Sequence, residues 1–530
     1  MLKRKKLFIS LLTVVMLTSS LMMGCKKSDN SSAANDSAAS SSSYPLKTDV
    51  TLTWWVGFSQ IQGYGNIKTE NDTEFAKELL KETGIKVKYV HPSGNDTSGA
   101  LNLLIASGDL PDIIENDWYS FAGGPEAPIN NGTTLKLNDL IDKYSPNLKA
   151  YLKKNPNLDK AVKTDSGTYY CYPFLRDDDK LTTYLGPIVR RDLLDKLGLE
   201  SPTTIDEYEN VLTKFKESGI KSPLTFDWGA IGWSSAFVGA YGVKPGLYVE
   251  NGKVKFGQAE EGYKDFLTLM KKWYISGLLD KNFATLTGDQ KATAMTSGNS
   301  GVSIGLGGGN MAAWQTNADK TGNGFKYEGA KYPVLEKGET PKFGQQDSRY
   351  TTYNAAAITT KCKYPEIAAR LLDFGYSEKG AKLYNLGIEG KSYTMKDGNP
   401  TYTDTVLNNP DKIARSSVMA NYTRYAGSPT IQQVLTQQLA TPLQKAATET
   451  WKTDASKYNL PQISLKSDES SDAASIINGI NTYVNEMSFK FIMGTEPLSN
   501  FDKYVDQLNK LGLQKYLKYN QDALNRYNKR

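Results

Sequence analysis

Residues Thr164–Leu199 read TDSGTYYCYPFLRDDDKLTTYLGPIVRRDLLDKLGL. Asp165-Ser166-Gly167 is turn chemistry. Tyr169 to Phe174 is an aromatic, strand-like run, and Pro173 confines such a run to an edge or a crossing segment. Arg176 and three aspartates follow in a charged loop. Leu181 to Val189 is a second extended run, broken at Gly186-Pro187. Arg190 to Leu197 opens a helix that Gly198 ends. Two extended passes around a charged loop suit a chain moving from one lobe to another. The segments on either side read as α/β halves of similar size, with these residues lining a cleft between them.

The flanking sequence has that character. Val50–Val56 (VTLTWWV) reads as a strand, with Trp54 and Trp55 on opposite faces and one of them expected in the core. Asn71-Asp72-Thr73-Glu74 opens a helix that runs to Thr83 and stops at Gly84. Ile85–Val90 alternates as a strand. Ala100–Ala106 is a short apolar helix, and Asp109–Ile114 returns to a strand. This β-α-β-α-β order implies a sheet with ligand loops at the strand ends. Further on, Thr203–Glu217 carries a capping box and a helical apolar face. Phe226–Tyr241 is rich in glycine and aromatics. Tyr263, Phe266, Leu267, Met270 and Tyr274 mark an amphipathic helix that holds Trp273 as a packing residue. Gly301–Gly309 is a strand entering a glycine turn, and Arg349–Thr359 is a second crossing. The remainder is mostly helical and polar.

At 530 residues the chain exceeds what one core supports. The formal charge is +6, but Lys3, Arg4, Lys5 and Lys6 precede the first apolar run and leave +2 for the rest. No basic block is interleaved with aromatics, so nucleic acid is not an expected partner. Three cysteines and one histidine occur without CxxC or HExxH spacing, which excludes a disulfide framework and a Cys/His zinc site. No metal or cofactor is expected.

Met1–Lys6 is a basic region, Leu7–Met23 an uncharged apolar run, and Gly24-Cys25 follows. This is an export signal. Leu21–Cys25 resembles a bacterial lipoprotein box, with Met22 where leucine is usual. It implies acylation (palmitate) of Cys25 and residence on the outer face of the cell membrane. Lys26–Ser43 is almost pure Ser, Ala, Asn, Asp and Lys and reads as a disordered tether reaching about 25 Å.

Four passages carry a family resemblance: LNLLIASGDLPDIIE (Leu101–Glu115), VRRDLLDKLGLESPTTIDEYENVLTKFK (Val189–Lys216), GYSEKGAKLYNLGIEGKSYTMKDGNPTYTD (Gly375–Asp404) and the end from Phe491 to Tyr527. Together they resemble the family-1 extracellular solute-binding lipoproteins of carbohydrate ABC transporters, of the large oligosaccharide-binding type. The resemblance implies an α/β, two-lobed periplasmic-binding-protein-like fold of type II, with a hinge of crossing strands and a helical carboxyl-terminal region. It implies sugar held in the cleft of a monomer, delivery to permease subunits, and no enzymatic activity. The expected division is 1–24 signal, 25–43 lipidated cysteine and tether, 44–175 first lobe, 176–345 second lobe, 346–410 return to the first, and 411–530 a helical region mainly with the second. Relatives that bind alginate carry calcium in an acidic loop; Asp177-Asp178-Asp179 lacks the alternating spacing and the turn glycine.

Sugars present apolar ring faces and hydroxyl edges, so a site needs aromatic platforms with carboxylate, amide and guanidinium groups. The candidates are Ser59, Asp117, Trp118, Arg176, Trp228, Trp233, Asn310, Trp314, Arg349, Tyr353 and Glu389. Each has a plainer role to set beside it. Arg176 with Asp177 could form a structural ion pair, Arg349 and Tyr353 could serve only the crossing strand, and Glu389 could close a turn between Gly387 and Gly390. His91, before a proline, shows no partner in the sequence. Two other functions share this chemistry: a surface lyase or glycosidase, which needs only two suitably spaced carboxylates, and a sugar-binding sensor or adhesin.

Overall fold

The computed structural model describes residues 43–57, 67–93, 96–411, 413, 415–424, 429–432 and 442–530, without the side chains at 352, 353 and 432. Ser59 and Cys25 lie outside the described residues, as does the side chain of Tyr353.

The first strand, β1 (Thr51–Trp55), sends Leu52 and Trp54 into one core and Trp55 into another on the opposite face. Both tryptophans are therefore buried, one in each layer, where a single core residue was expected. The helix Glu74–Thr83 starts at Thr73, whose Oγ1 accepts from the Ala76 amide at 3.0 Å. Gly84 closes it at φ 72°, and a Cβ there would stand 2.1 Å from the Leu46 carbonyl oxygen. Only glycine meets both demands. β2 (Lys86–Val90) and β3 (Ile113–Asn116) flank β1 in parallel. The helix between them is Thr97–Ser107, capped by Asp96.

β4 (Tyr172–Arg176) contains Pro173 yet is an interior strand. Of the two places open to such a proline, an edge or a crossing segment, β4 takes the second, between its neighbours β10 (Tyr350–Ile358) and β13 (Ile431–Gln432). β10 bulges between Thr351 and Ala356, opposite the proline, and β13 pairs only from Leu175 onward. Neither neighbour asks Pro173 for an amide proton. The sheet order is β13-β4-β10-β3-β1-β2, with β10 alone antiparallel.

The second sheet is built on β5 (Leu185–Arg190), flanked antiparallel by β8 (Val302–Leu306) and β9 (Tyr327–Gly329). Two hairpins sit apart, β6 (Leu247–Glu250) with β7 (Lys253–Phe256) and β11 (Tyr393–Lys396) with β12 (Asn399–Tyr402). The second core joins β5 and β8 to helices Ile205–Glu217 and Glu261–Ile275 and to the 27-residue helix Ser467–Met493. Trp273 is buried there and donates Nε1 to Glu209 at 3.0 Å. No helix among the described residues is long and apolar enough to cross a membrane.

The return to the first lobe runs past residue 410. Helix Arg415–Tyr422 packs on Glu74–Thr83 and Glu378–Leu386, and β13 completes the first sheet. Helix Pro442–Thr450 then joins the second core through Ala447. At the far end Arg526 and Arg530 both hold Asp165, with Nε–O distances of 2.7 and 2.8 Å, so the last helix of the second lobe grips a turn of the first.

Gly186 shows how tightly β5 is covered. Trp451 lies flat on it and donates Nε1 to the Pro187 carbonyl at 3.0 Å. A Cβ at residue 186 would meet the indole at 2.5 Å. Gly186→Ala is expected to cost about 1–3 kcal/mol through overpacking, read as an earlier urea midpoint. An unchanged midpoint would contradict this packing.

Candidate functional site

Strand direction places the site. β1, β2, β3, β4 and β13 all end at one edge of the first sheet, and β10 begins there. The passages β4 to β5, β9 to β10 and β13 to Pro442–Thr450 therefore all leave or enter by that edge. In open α/β sheets ligands bind outside the carboxyl ends of the strands, and here the second lobe faces those ends.

The first two passages are stapled together. Arg176 donates its amide to the Arg349 carbonyl at 2.8 Å, and Arg349 returns Nε to the Arg176 carbonyl at 2.9 Å. The Arg176 guanidinium, buried, donates to the Ser348 carbonyl at 2.9 Å and to Asp347 Oδ2 at 3.2 Å. Tyr184 gives its hydroxyl to the same Oδ2 at 2.5 Å and takes the Arg176 guanidinium over its ring at 5.8 Å. Gln345 ties Thr182, Tyr184 and Asp347 together. Arg176 thus pairs with Asp347, not with its neighbour Asp177. Arg349 Nη2 holds the Asp177 carbonyl at 2.7 Å and the Tyr151 hydroxyl at 3.1 Å. Asp177 Oδ1 is buried with no partner among the described residues. Burial pushes that carboxyl above the usual range.

Trp233 stands beside this staple, 54% exposed, with its ring 6.2 Å from Tyr184 in an edge-on pair. The backbone behind it is strained. Ser235 has φ 58°, and Phe237 has φ 64° with ψ −49° at the centre of a turn closed by Val238 N to Ala236 O at 2.8 Å. Such residues cost about 1–3 kcal/mol each and persist only where packing over-determines them. The Phe237 ring is so held, among Tyr208, Trp273 and Phe226 at 5.3 to 6.5 Å.

A cleft of about 1000 Å³ separates helix Ala312–Thr321 and its glycine-rich lead-in from residues 402–419. Gln315, Asn317 and Lys320 face Tyr402, Asn408 and Arg415 across it. Gln444 beside it donates Nε2 to the Gly307 carbonyl at 3.0 Å.

Two expected platforms, Trp118 and Trp314, are buried, and Trp228 is half-buried against other aromatics. Trp118 is buried, with Nε1 donated to Ile114 at 3.2 Å and its ring against Phe121, because the loop folds back under the sheet. Trp228 packs on Phe266, Phe283 and Phe489. Trp314 is buried against Tyr327 because its helix turns that face inward. Asp117 is half-buried and accepts from the Ser120 amide at 3.1 Å. Asn310 turns its Oδ1 back to the Leu306 amide at 3.0 Å. Glu389 is exposed on the turn between Gly387 and Gly390. Cys171 and Cys362 carry free thiols, and burial pushes both up to about 12. His91, which showed no partner in the sequence, accepts the Glu70 amide on Nε2 and reaches the Val56 carbonyl through Nδ1, both at 3.0 Å. Nδ1 therefore carries the proton of a neutral ring, in keeping with a pKa lowered chiefly by burial. Among the described residues no three acidic, His or Cys side chains are grouped as a metal would need.

Comparison with known proteins fits this geometry. The model of the bacterial extracellular solute-binding protein family matches residues 67–382. The chain belongs to that family. Among its relatives, the fructooligosaccharide ABC transporter substrate-binding protein FusA of Streptococcus pneumoniae serotype 4 is 25% identical over 529 residues, covering 92% of each chain. Lipoprotein LipO of Bacillus subtilis is 25% identical over 362 residues, covering 65% of this chain and 68% of LipO. The solved structure of the alginate-binding protein AlgQ2 without calcium ion superposes with a TM-score of 0.71 at 24% identity, covering 91% of this chain and all of the other. The two-lobed α/β architecture of this solute-binding protein is thus shared with known binding proteins.

The staple predicts its own energetics. Asp347→Ala leaves the buried Arg176 guanidinium and the Tyr184 hydroxyl without their shared acceptor, at a cost of about 1–3 kcal/mol. Denaturant unfolding should show that loss, and Asp347→Asn should recover part of it. Equal midpoints for Asp347→Ala and wild type would mean that the staple carries no stability.

Proposed function

We propose that this protein captures an oligosaccharide in the interlobe cleft and delivers it to the permease of an ABC transporter. It acts as a monomer, held at the outer face of the membrane by a lipid on Cys25 and a tether over residues 26–43, and it releases the sugar unchanged. The observation that carries this reading is Trp233, a large aromatic left exposed just ahead of a strained turn, beside the passages between the lobes. Water gains nothing from that exposure; a sugar ring face would stack on it.

The neighbouring groups suit hydroxyl edges. Asp177 carries a buried carboxyl oxygen without a partner among the described residues. Asp117 lies at the same end of the sheet, and Arg349 holds the backbone that presents Asp177. Arg176 acts by fixing the staple. Ser59, Tyr353, Asn310 and Glu389 remain candidates on their chain positions alone, whereas Trp118, Trp228 and Trp314 serve packing. FusA, whose name records fructooligosaccharide, supports the ligand class, and LipO, a lipoprotein, supports the anchor.

Thermal shift of the full-length chain with kestose, stachyose and oligogalacturonides, each mixture also assayed for chain shortening, tests this reading. A ligand at a hundred times its Kd adds about 2.7 kcal/mol to apparent stability. One sugar class is expected to raise Tm and to be recovered intact, and Trp233→Ala is expected to weaken its binding at least about tenfold, or about 1.4 kcal/mol, with the unliganded Tm unchanged. Shortened sugar would establish an enzyme, and full affinity in Trp233→Ala would remove the platform.

A further inference from the structure

Arg424 follows helix Arg415–Tyr422 and is 9% exposed. Its guanidinium donates to Glu115 Oε2 at 2.6 Å and to Glu70 Oε1 at 3.3 Å. Glu115 lies near the carboxyl end of β3 and Glu70 in the turn before helix Glu74–Thr83, and both are buried. The guanidinium also lies 5.3 Å from the Trp54 ring and 5.7 Å from that of Tyr89. Trp54 Nε1, Tyr89 OH and Tyr384 OH are buried nearby with no partner among the described residues. One cation therefore meets two buried carboxylates, with neutral donors left over.

That charge count has a consequence. An excess buried negative charge is expensive, and a proton removes it. Burial pushes Glu115 up to about 7 and moves Glu70 in the same direction, each against the pull of Arg424. Burial also keeps the Tyr89 and Tyr384 phenols neutral. His91, the remaining titratable neighbour among the described residues, has its pKa lowered, chiefly by burial. A group whose pKa is raised by its surroundings stabilises them below its ordinary pKa, and that contribution is lost as pH rises through the raised value.

The cluster also holds something in place. Residues 402–419 supply Tyr402, Asn408, Ser416 and Met419 to the cleft. Arg424 ties the end of that wall to the first sheet, and Asn421 Oδ1 ties it to helix Glu74–Thr83 by accepting the Glu74 amide at 3.0 Å. We propose that Arg424 is the positioning residue of the cleft's first-lobe wall, and that the cluster it forms with Glu70 and Glu115 seats residues 402–424 most firmly when it also holds one proton. The effect on ligand rests on the binding function proposed above; the seating does not.

Hydrogen exchange of the full chain at pH 6 and pH 8, corrected for intrinsic rates, tests the seating without ligand. Peptides over 415–424 are expected to lose about tenfold in protection between pH 6 and pH 8. Glu115→Gln, which keeps the charge even at both pH values, should stay flat at the protected level. Arg424→Lys should lose protection at both. Peptides over 261–275 in the second lobe should show no step in any variant. A wild-type chain without the step, Glu115→Gln retaining it, or Arg424→Lys matching wild type would overturn the proposal. Kestose titrated at the same two pH values separates the two readings: an exchange step without kestose binding keeps the seating and removes that ligand.

Discussion

The staple between Arg176 and Arg349 is the interaction on which the two-lobed arrangement depends. Each residue gives a hydrogen bond to the other's backbone carbonyl, and Asp347 and Gln345 fasten the passages further on. Because the strands of the first sheet end at one edge, every passage must leave there. The second lobe is obliged to face the carboxyl ends, and a cleft results from topology before any side chain is chosen. The staple keeps adjacent passages in register, so that bending is shared between them. Elsewhere the lobes touch at Tyr119, whose hydroxyl reaches the Ile463 carbonyl at 2.6 Å, and at Asp165 under Arg526 and Arg530.

Charge is placed unevenly about this frame. Many ion pairs, such as Lys77 with Glu74 or Lys382 with Glu378, are exposed neighbours on one helix, where water screens them and each contributes little. Two of the buried arginines pair where elements distant in sequence meet: Arg176 with Asp347, and Arg424 with Glu70 and Glu115. Buried pairs add little net stability over apolar replacements but penalise any arrangement that separates them. Their place at the passages and behind the cleft wall fits a fold that must hold two rigid bodies in a defined relation.

Much of the frame was legible in the sequence because local chemistry spoke for it. Gly84 and Gly198 end helices at φ 72° and 63°, as glycine after an amphipathic run predicts. Asp165-Ser166-Gly167 turns, and Arg176 and Arg349 lie at the passages. The tryptophans were harder. Trp118, Trp228 and Trp314 sit beside strands, glycines and polar residues that read as loops, and only tertiary packing buries Trp118 and Trp314 and half-buries Trp228. Trp233, from the same stretch as Trp228, is the exposed one, and five residues of spacing in an irregular segment do not decide which. Trp451 gave no signal, since its partner is the bare backbone of Gly186. Arg424, Glu70 and Glu115 each lie in ordinary surroundings and acquire meaning only when brought together.

The central claim is that ligand is held between two bodies that move about the stapled passages. Small-angle X-ray scattering of the full chain, with and without a saturating amount of a sugar that raises its Tm, tests it most directly. Closure around the ligand predicts a smaller radius of gyration and a narrower distance distribution with sugar bound. The same radius in both states, at saturation, would mean that the cleft binds without closing and would contradict the hinge.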